Sequence, residues 1–112
     1  MARRTAAKVM QSALDATSGQ TSASCDMRQY TNIAVQGIAA SLDQADGTLT
    51  IEGSIDGTNW DALATATTFG SGSTNELIFI TGVYCQYVRV VWAEGTNTAG
   101  TITTKIQFTG LN

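Results

Sequence analysis

The chain has 112 residues and a formal net charge of −3, and Thr, Ser and Gly together supply 37 of its residues. A chain of this length predicts one compact domain with a modest core. It contains no His, which excludes a nucleophile–His pair and a His-based zinc site. No apolar stretch approaches the roughly 20 residues that a membrane-spanning helix requires.

The first 20 residues differ in charge from the rest of the chain. They carry a balance of +2, because one acid opposes the three cations Arg3, Arg4 and Lys8, whereas the remaining residues carry −5. Apolar residues at helical spacing permit a short helix in this segment, and an extended edge strand is the alternative. We predict a basic N-terminal arm over residues 1–20, followed by a domain over residues 21–112.

Short strands are predicted throughout the domain. Ile33 and Val35 begin the first strand, and residues 48–55 alternate apolar and polar side chains, as a half-buried strand does. A weaker strand is predicted over residues 60–66. Three further strands are predicted over residues 76–80, 87–92 and 101–108.

Turns containing Gly separate these strands. The pairs Asp46-Gly47 and Asp56-Gly57 supply the positive φ that tight hairpin turns require. Short strands separated by turns at intervals of about ten residues indicate an all-β protein. We predict an antiparallel β-sandwich, of jelly-roll or immunoglobulin type, with an N-terminal arm.

The cysteines and the N-terminal segment bear on the cellular compartment. Lys8, Gln11 and Asp15 interrupt the apolar region that a signal peptide needs, so we expect no secretion by that route. Cys25 and Cys85 are interpreted as free, buried thiols, because nothing in the sequence indicates an oxidising compartment.

Residues 56–61 offer the oxygen-bearing side chains of Asp56, Asn59 and Asp61, which fall short of the six to eight oxygens that calcium takes. We favour a hairpin turn whose Trp60 packs at the edge of the sandwich, and we expect no metal and no cofactor. The serines of residues 70–73 have no base to activate them. We therefore expect no catalytic residue and no enzymatic activity.

Two groups of residues are candidates for contacts with partners. Arg3, Arg4 and Lys8 are predicted to dock on an acidic protein surface; three charges and an acidic domain argue against nucleic acid. Trp60 lies beside a turn, so it is the candidate for a surface or carbohydrate contact, together with Asp56, Asn59 and Asp61. Trp92 shares a strand face with two valines, which predicts a core position.

Two segments resemble a known group of proteins. The segment Glu52-Gly-Ser-Ile-Asp-Gly-Thr-Asn-Trp-Asp-Ala-Leu63 is similar to a hairpin of small β-sandwich accessory virion proteins of tailed bacteriophages. The segment Val83-Tyr-Cys-Gln-Tyr-Val-Arg-Val-Val91 and the Thr-rich strand after it continue that pattern. The resemblance covers residues 30–110. A similar hairpin occurs in discoidin-like carbohydrate-binding sandwiches.

The resemblance implies a structural virion protein, assembled in the host cytoplasm, that decorates or cements a phage head. Its expected partners are the major capsid protein or other virion proteins and further copies of itself, as a trimer or dimer, with no membrane partner. Deletion of residues 2–11 is expected to abolish capsid binding and to leave the sandwich folded. The alternatives are a carbohydrate-binding module and a tail, neck or fibre protein of the same fold.

Overall fold

The computed structural model describes residues 3–27 and 30–111, with side chains over residues 6–27 and 30–110. Only strands, turns and bends occur in these ranges, so no helix there could cross a membrane. The strands are β1 Arg3–Asp15, β2 Gln20–Thr21, β3 Cys25–Asp26, β4 Asn32–Leu42, β5 Gly47–Ser54, β6 Asp61–Ala62, β7 Thr67–Phe69, β8 Gly72–Ile80, β9 Tyr87–Ala93 and β10 Thr101–Leu111.

The strands form two antiparallel sheets. The first sheet contains the four long strands in the order β1-β10-β4-β8. The second sheet is built on β9 and β5, with the short β2 and β3 beside β9 and the short β6 and β7 beside β5. Every pairing is antiparallel, so the predicted antiparallel β-sandwich is confirmed.

The order of the strands distinguishes between the two predicted types of sandwich. If β2 and β3 count as one interrupted strand, and β6 and β7 as another, the two sheets read 1-8-3-6 and 2-7-4-5. In this arrangement one long hairpin, pairing 1 with 8, 2 with 7, 3 with 6 and 4 with 5, is rolled into two layers. It is the jelly roll rather than the immunoglobulin arrangement.

Most of the predicted strands are present. The predicted residues 76–80, 87–92 and 101–108 lie within β8, β9 and β10, and the predicted start at Ile33 and Val35 lies within β4. Strand β5 covers the predicted residues 48–55 except the last. The strand predicted over residues 60–66 is reduced to the two residues of β6, followed by β7. Gly57 has a φ of 77°, as the predicted Asp56-Gly57 turn requires. Gly47 instead begins β5 and is absent from the described glycines with positive φ.

Residues 3–15 form an edge strand, not a helix. Strand β1 pairs with β10 from Arg3 opposite Leu111 to Asp15 opposite Thr101. The extended alternative is therefore observed, and the segment belongs to the first sheet instead of standing apart as an arm. Gln11 is buried, and Met10 packs against the core. Deleting residues 2–11 would remove most of a strand that pairs with β10, so we now expect this deletion to destabilise the sandwich as well as to affect binding.

The core lies between the two sheets and is centred on Trp92, which is fully buried as predicted. Its ring meets that of Phe69 edge to face, with centroids 5.5 Å apart, a favourable aromatic geometry. The indole Nε1 donates a hydrogen bond to the carbonyl of Ala16 at 3.1 Å. This bond holds the end of β1 against the second sheet.

Candidate interaction surfaces

The turn after β5 is held by Asp56. Its carboxylate accepts hydrogen bonds from the backbone amides of Thr58 and Asn59, both at 2.8 Å, and from the Asn59 side chain and the Ser54 hydroxyl. These bonds, led by that from the Asn59 amide, hold the pKa of Asp56 well below its usual range. The carboxylate oxygens serve the turn, as the hairpin interpretation predicts. No group of three or more His, Cys, Asp or Glu suited to a metal occurs in the described residues.

Trp60 lies in a cluster on the outer face of the second sheet. The Arg89 guanidinium lies over the indole, 4.3 Å from its centroid, and Arg89 Nε donates to Glu52 Oε1 at 2.7 Å. Glu52 and Arg89 are direct cross-strand partners on β5 and β9. One face of Trp60, the candidate for a carbohydrate contact, is thus covered by a cation–π contact within the chain itself. Asp61 begins β6 and is exposed.

At the far end of β5, Asp43 and Asp46 hold the loop that precedes β10. Asp43 accepts hydrogen bonds from the backbone amide and hydroxyl of Thr98, and Asp46 accepts them from the same groups of Thr96. The threonine hydroxyl is the main cause of the lowered pKa of each carboxyl. These acids connect two loops, which is the role in turns that the sequence predicts.

The two cysteines are free. Cys25 is buried and its thiol contacts the sulfur of Met10 at 3.4 Å, whereas Cys85 is half-buried and donates to the carbonyl of Tyr87. The interpretation of two free thiols is confirmed, with Cys85 less buried than expected.

Of the three predicted docking cations, Lys8 alone has a described side chain. It is exposed on β1, opposite Ile106 of β10. The backbones of Arg3 and Arg4 pair with the end of β10, and their side chains lie outside the described residues. Their docking role stays a prediction.

The outer face of the first sheet carries apolar side chains that the sequence analysis did not single out. Phe79 is 69% exposed, Leu77 is 57% exposed and Val9 is 51% exposed. Leu77, Gln36, Lys105 and Val9 are successive neighbours across the four strands, so they share one face. A shallow groove of about 210 Å³ crosses this face between Leu77 and Ala7. The face that carries these side chains is called the outer face of the first sheet.

A signal for this face was present in the sequence. The run from Leu77 to Ile80 is continuously apolar, yet successive residues of a strand point to opposite sides. Ile78 and Ile80 face Val35 and Ile33 of the core, which directs Leu77 and Phe79 outward. A continuous apolar run on an edge strand therefore predicts an apolar surface, unless further elements cover the sheet.

A second apolar patch lies at one end of the sandwich. Tyr84 is 88% exposed and Ile55 is 80% exposed, and both line a depression of about 400 Å³ with Met27, Tyr30 and Val83 beneath. Exposed apolar patches of this kind mark interaction sites. The protein thus has two such candidate surfaces, one on a sheet face and one at the loop end.

Comparison with solved structures supports the assignment of the fold. The PBSX exported protein XepA superposes with a TM-score of 0.62 at 22% identity, over 96% of this chain and 37% of that protein. The VP2 subviral particle of infectious bursal disease virus gives 0.57 at 13% identity, over 96% and 32%. The N-terminal cellulose-binding domain of Cellulomonas fimi β-1,4-glucanase C gives 0.51 at 10% identity, over 88% and 73%.

The chain spans about a third of the length of the first two of these proteins. At these identities the likeness establishes a shared β-sandwich fold, found both in viral proteins and in a carbohydrate-binding domain. No protein-family profile and no curated protein sequence matches the chain.

Proposed function

We propose that this chain is a non-catalytic structural virion protein of a tailed phage, which decorates the head and stabilises its lattice through the outer face of the first sheet. The observation that carries the proposal is the exposure of Leu77 and Phe79 on that face. A sandwich that works alone keeps the outer faces of its sheets polar, so large apolar side chains there favour an interface. The major capsid protein is the proposed partner.

Two further observations and one general argument support this role. The resemblance of residues 52–63 and 83–91 to phage accessory proteins agrees with a jelly roll, a fold shared with viral proteins. Lys105 and Gln107 lie among the apolar side chains of the outer face, and interfaces between separately folded proteins as a whole mix polar and apolar area in about the proportion of the remaining surface. A repeated lattice presents many copies of one contact, so even a weak contact gives high overall occupancy.

The experiment is a binding titration on phage heads assembled from a genome that lacks this gene. We expect the purified, labelled chain to saturate at a fixed number of copies per head, to lie on the outer surface in electron micrographs, and to raise the temperature at which heads disrupt. The double variant Leu77→Ser/Phe79→Ser is expected to lose binding. It changes two exposed side chains, so its unfolding temperature should stay close to that of the wild type.

The matched control is Tyr84→Ser, which removes an exposed aromatic side chain at the loop end. It should bind heads as the wild type does. Label on the tail, neck or fibres would overturn the head assignment in favour of the structural alternative. Normal binding by the double variant would overturn the assignment of the surface.

The carbohydrate-binding alternative depends on Trp60. Its indole remains part-exposed beside the exposed Asp61, although Arg89 covers one face. A glycan array, with the wild type compared with Trp60→Ala, tests it directly. A sugar that binds the wild type and not the variant would favour this alternative, and no binding to any sugar would remove it.

A further inference from the structure

The first sheet has one edge strand on each side. Strand β1 lies at one edge and pairs with β10, and strand β8 lies at the other and pairs with β4. From Arg3 to Val9 the pairing of β1 is regular, and β8 extends over nine residues. Neither strand contains Pro. Backbone groups on the free side of such an edge are a template for another strand.

Among the side chains that the structure describes, each edge strand carries one charge directed toward the side of the second sheet. Lys8 lies opposite Ile106, which is buried in the core. Glu76 lies opposite Gly37, where an added Cβ would meet the Phe69 ring at 2.5 Å. Cross-strand partners share a face, so Lys8 and Glu76 both point to the inner side. In the part of the chain that the structure describes, the ion pair between Arg89 and Glu52 involves neither Lys8 nor Glu76.

The signs of these two charges select one kind of contact. Inward-pointing charges on edge strands prevent a sheet from pairing with a copy of itself. In the register centred on these residues, two copies of β8 would bring Glu76 opposite Glu76, and two copies of β1 would bring Lys8 opposite Lys8. A contact between β8 and the β1 of another copy instead sets an acid beside a base, which is stabilising across strands.

The directions of the strands permit this contact. The pairings of the first sheet are all antiparallel, so β1 and β8 run in opposite directions. A second copy in the same orientation therefore brings its β1 antiparallel to the β8 of the first. The register that sets Glu76 opposite Lys8 also sets Leu77 opposite Ala7 on the outer face. A slip by two residues leaves the two charges diagonal neighbours, still within reach for long side chains.

We propose that copies of this chain join edge to edge, with β8 of one copy adding to β1 of the next and with Glu76 pairing with Lys8 across the contact. The occupant of each edge is a second copy of this chain. The contact is head to tail, so it forms a closed ring if the rotation between copies closes. It leaves the outer face of the first sheet free. The inference therefore goes beyond the proposed function and does not depend on capsid binding.

The test uses two charge reversals and their mixture, measured by sedimentation velocity. The variant Lys8→Glu carries Glu at both edges, and Glu76→Lys carries Lys at both edges. We expect the wild type to form oligomers as its concentration rises. Each variant alone should sediment as a monomer, and circular dichroism should show an unchanged fold, because the altered side chains are at the sheet edges.

An equimolar mixture of the two variants is the decisive sample. In an alternating assembly each Glu edge meets a Lys edge, so the mixture should recover the oligomers that both variants lose. The control Lys105→Glu reverses a charge in the centre of the outer face and should sediment as the wild type does. A monomeric wild type at its highest soluble concentration would overturn the proposal. So would single variants that still form oligomers, or a mixture that stays monomeric.

Discussion

At the scale of single residues, the contact between Gly47 and Trp92 shows how small side chains position the core. The glycine begins β5 directly beneath the indole, and a Cβ there would lie 2.4 Å from Trp92 Cη2. The sequence predicts this glycine as part of a hairpin turn, since Asp-Gly is a strong turn signal. Its actual requirement is space for an aromatic ring that comes from β9, the neighbouring strand of the sheet, which is distant only along the chain.

The substitution Gly47→Ala is expected to destabilise the protein by about 1–3 kcal/mol, because the new methyl group must displace a buried ring or the strand. Denaturant unfolding followed by the fluorescence of tryptophan measures the change. The matched control is Gly70→Ala, where the nearest atom to an added Cβ is Thr74 Cγ2 at 3.9 Å. An equal loss in the two variants would contradict the role of the Trp92 contact.

At the scale of elements, β1 is a strand whose apolar residues have the spacing of a helix. Its pairing with β10 shifts register between Val9 and Gln11 and again between Gln11 and Leu14. Each irregularity interrupts the two-residue period of a strand. The core-facing Met10 and Leu14 then fall four residues apart, which is also a spacing found on one face of a helix. The edge of β10 favours the strand over the helix, because β1 gains a ladder of hydrogen bonds there.

The bulged part of β1 depends on a buried pair of polar side chains. The hydroxyl of Thr104 donates to Gln11 Oε1 at 3.1 Å, and Gln11 Nε2 donates to the carbonyl of Gln20 at 3.1 Å. Gln11 is 2% exposed and Thr104 is fully buried. The pair thus links β10 through β1 to the segment that enters the second sheet.

The substitution Thr104→Val is expected to cost about 1–3 kcal/mol of unfolding free energy, because it leaves the buried Gln11 oxygen without a donor. Equilibrium unfolding in urea measures this loss, and faster exchange of the β1 amides would locate it. Thr101→Val changes an exposed threonine of the same strand and serves as the control. Unchanged stability of Thr104→Val would show that the bond contributes nothing net.

At the scale of the whole molecule, carboxylates hold turns and loops at both ends of the sandwich. Asp15, Asp43, Asp46 and Asp56 all have a lowered pKa, caused chiefly by threonine hydroxyls for the first three and by the Asn59 amide for Asp56. A group whose pKa is lower in the folded than in the unfolded chain stabilises the fold above the unfolded value. This contribution disappears as the pH falls through the folded pKa.

Stability is therefore expected to stay nearly constant from neutral pH down to about pH 5 and to decline below about pH 4. The melting temperature, measured by calorimetry across this range, follows the change. The double variant Asp43→Asn/Asp46→Asn should melt lower than the wild type at pH 7 and lose less on acidification, so the two curves converge. Parallel curves would contradict the contribution of these two loop contacts.

The sequence by itself determined the features that depend on neighbouring residues. The alternation of residues 48–55 predicts β5, and the motif Ser54-Ile-Asp-Gly57 predicts the Asp56 turn, because each pattern is local. The core position of Trp92 follows from the face that it shares with its neighbours on β9. The all-β class and the exclusion of His chemistry needed nothing beyond composition and pattern.

Only the tertiary structure decided which strands are neighbours, and with this the jelly roll and both sheet edges. Pairing joins residues far apart in the chain, as Arg3 pairs with Leu111, and local propensity does not encode such pairs. The same pairing turns Leu77 and Phe79 outward and sets Lys8 and Glu76 at opposite edges of one sheet. The sequence shows the charge of the N-terminal segment, but the position of this segment at a sheet edge depends on its pairing with β10.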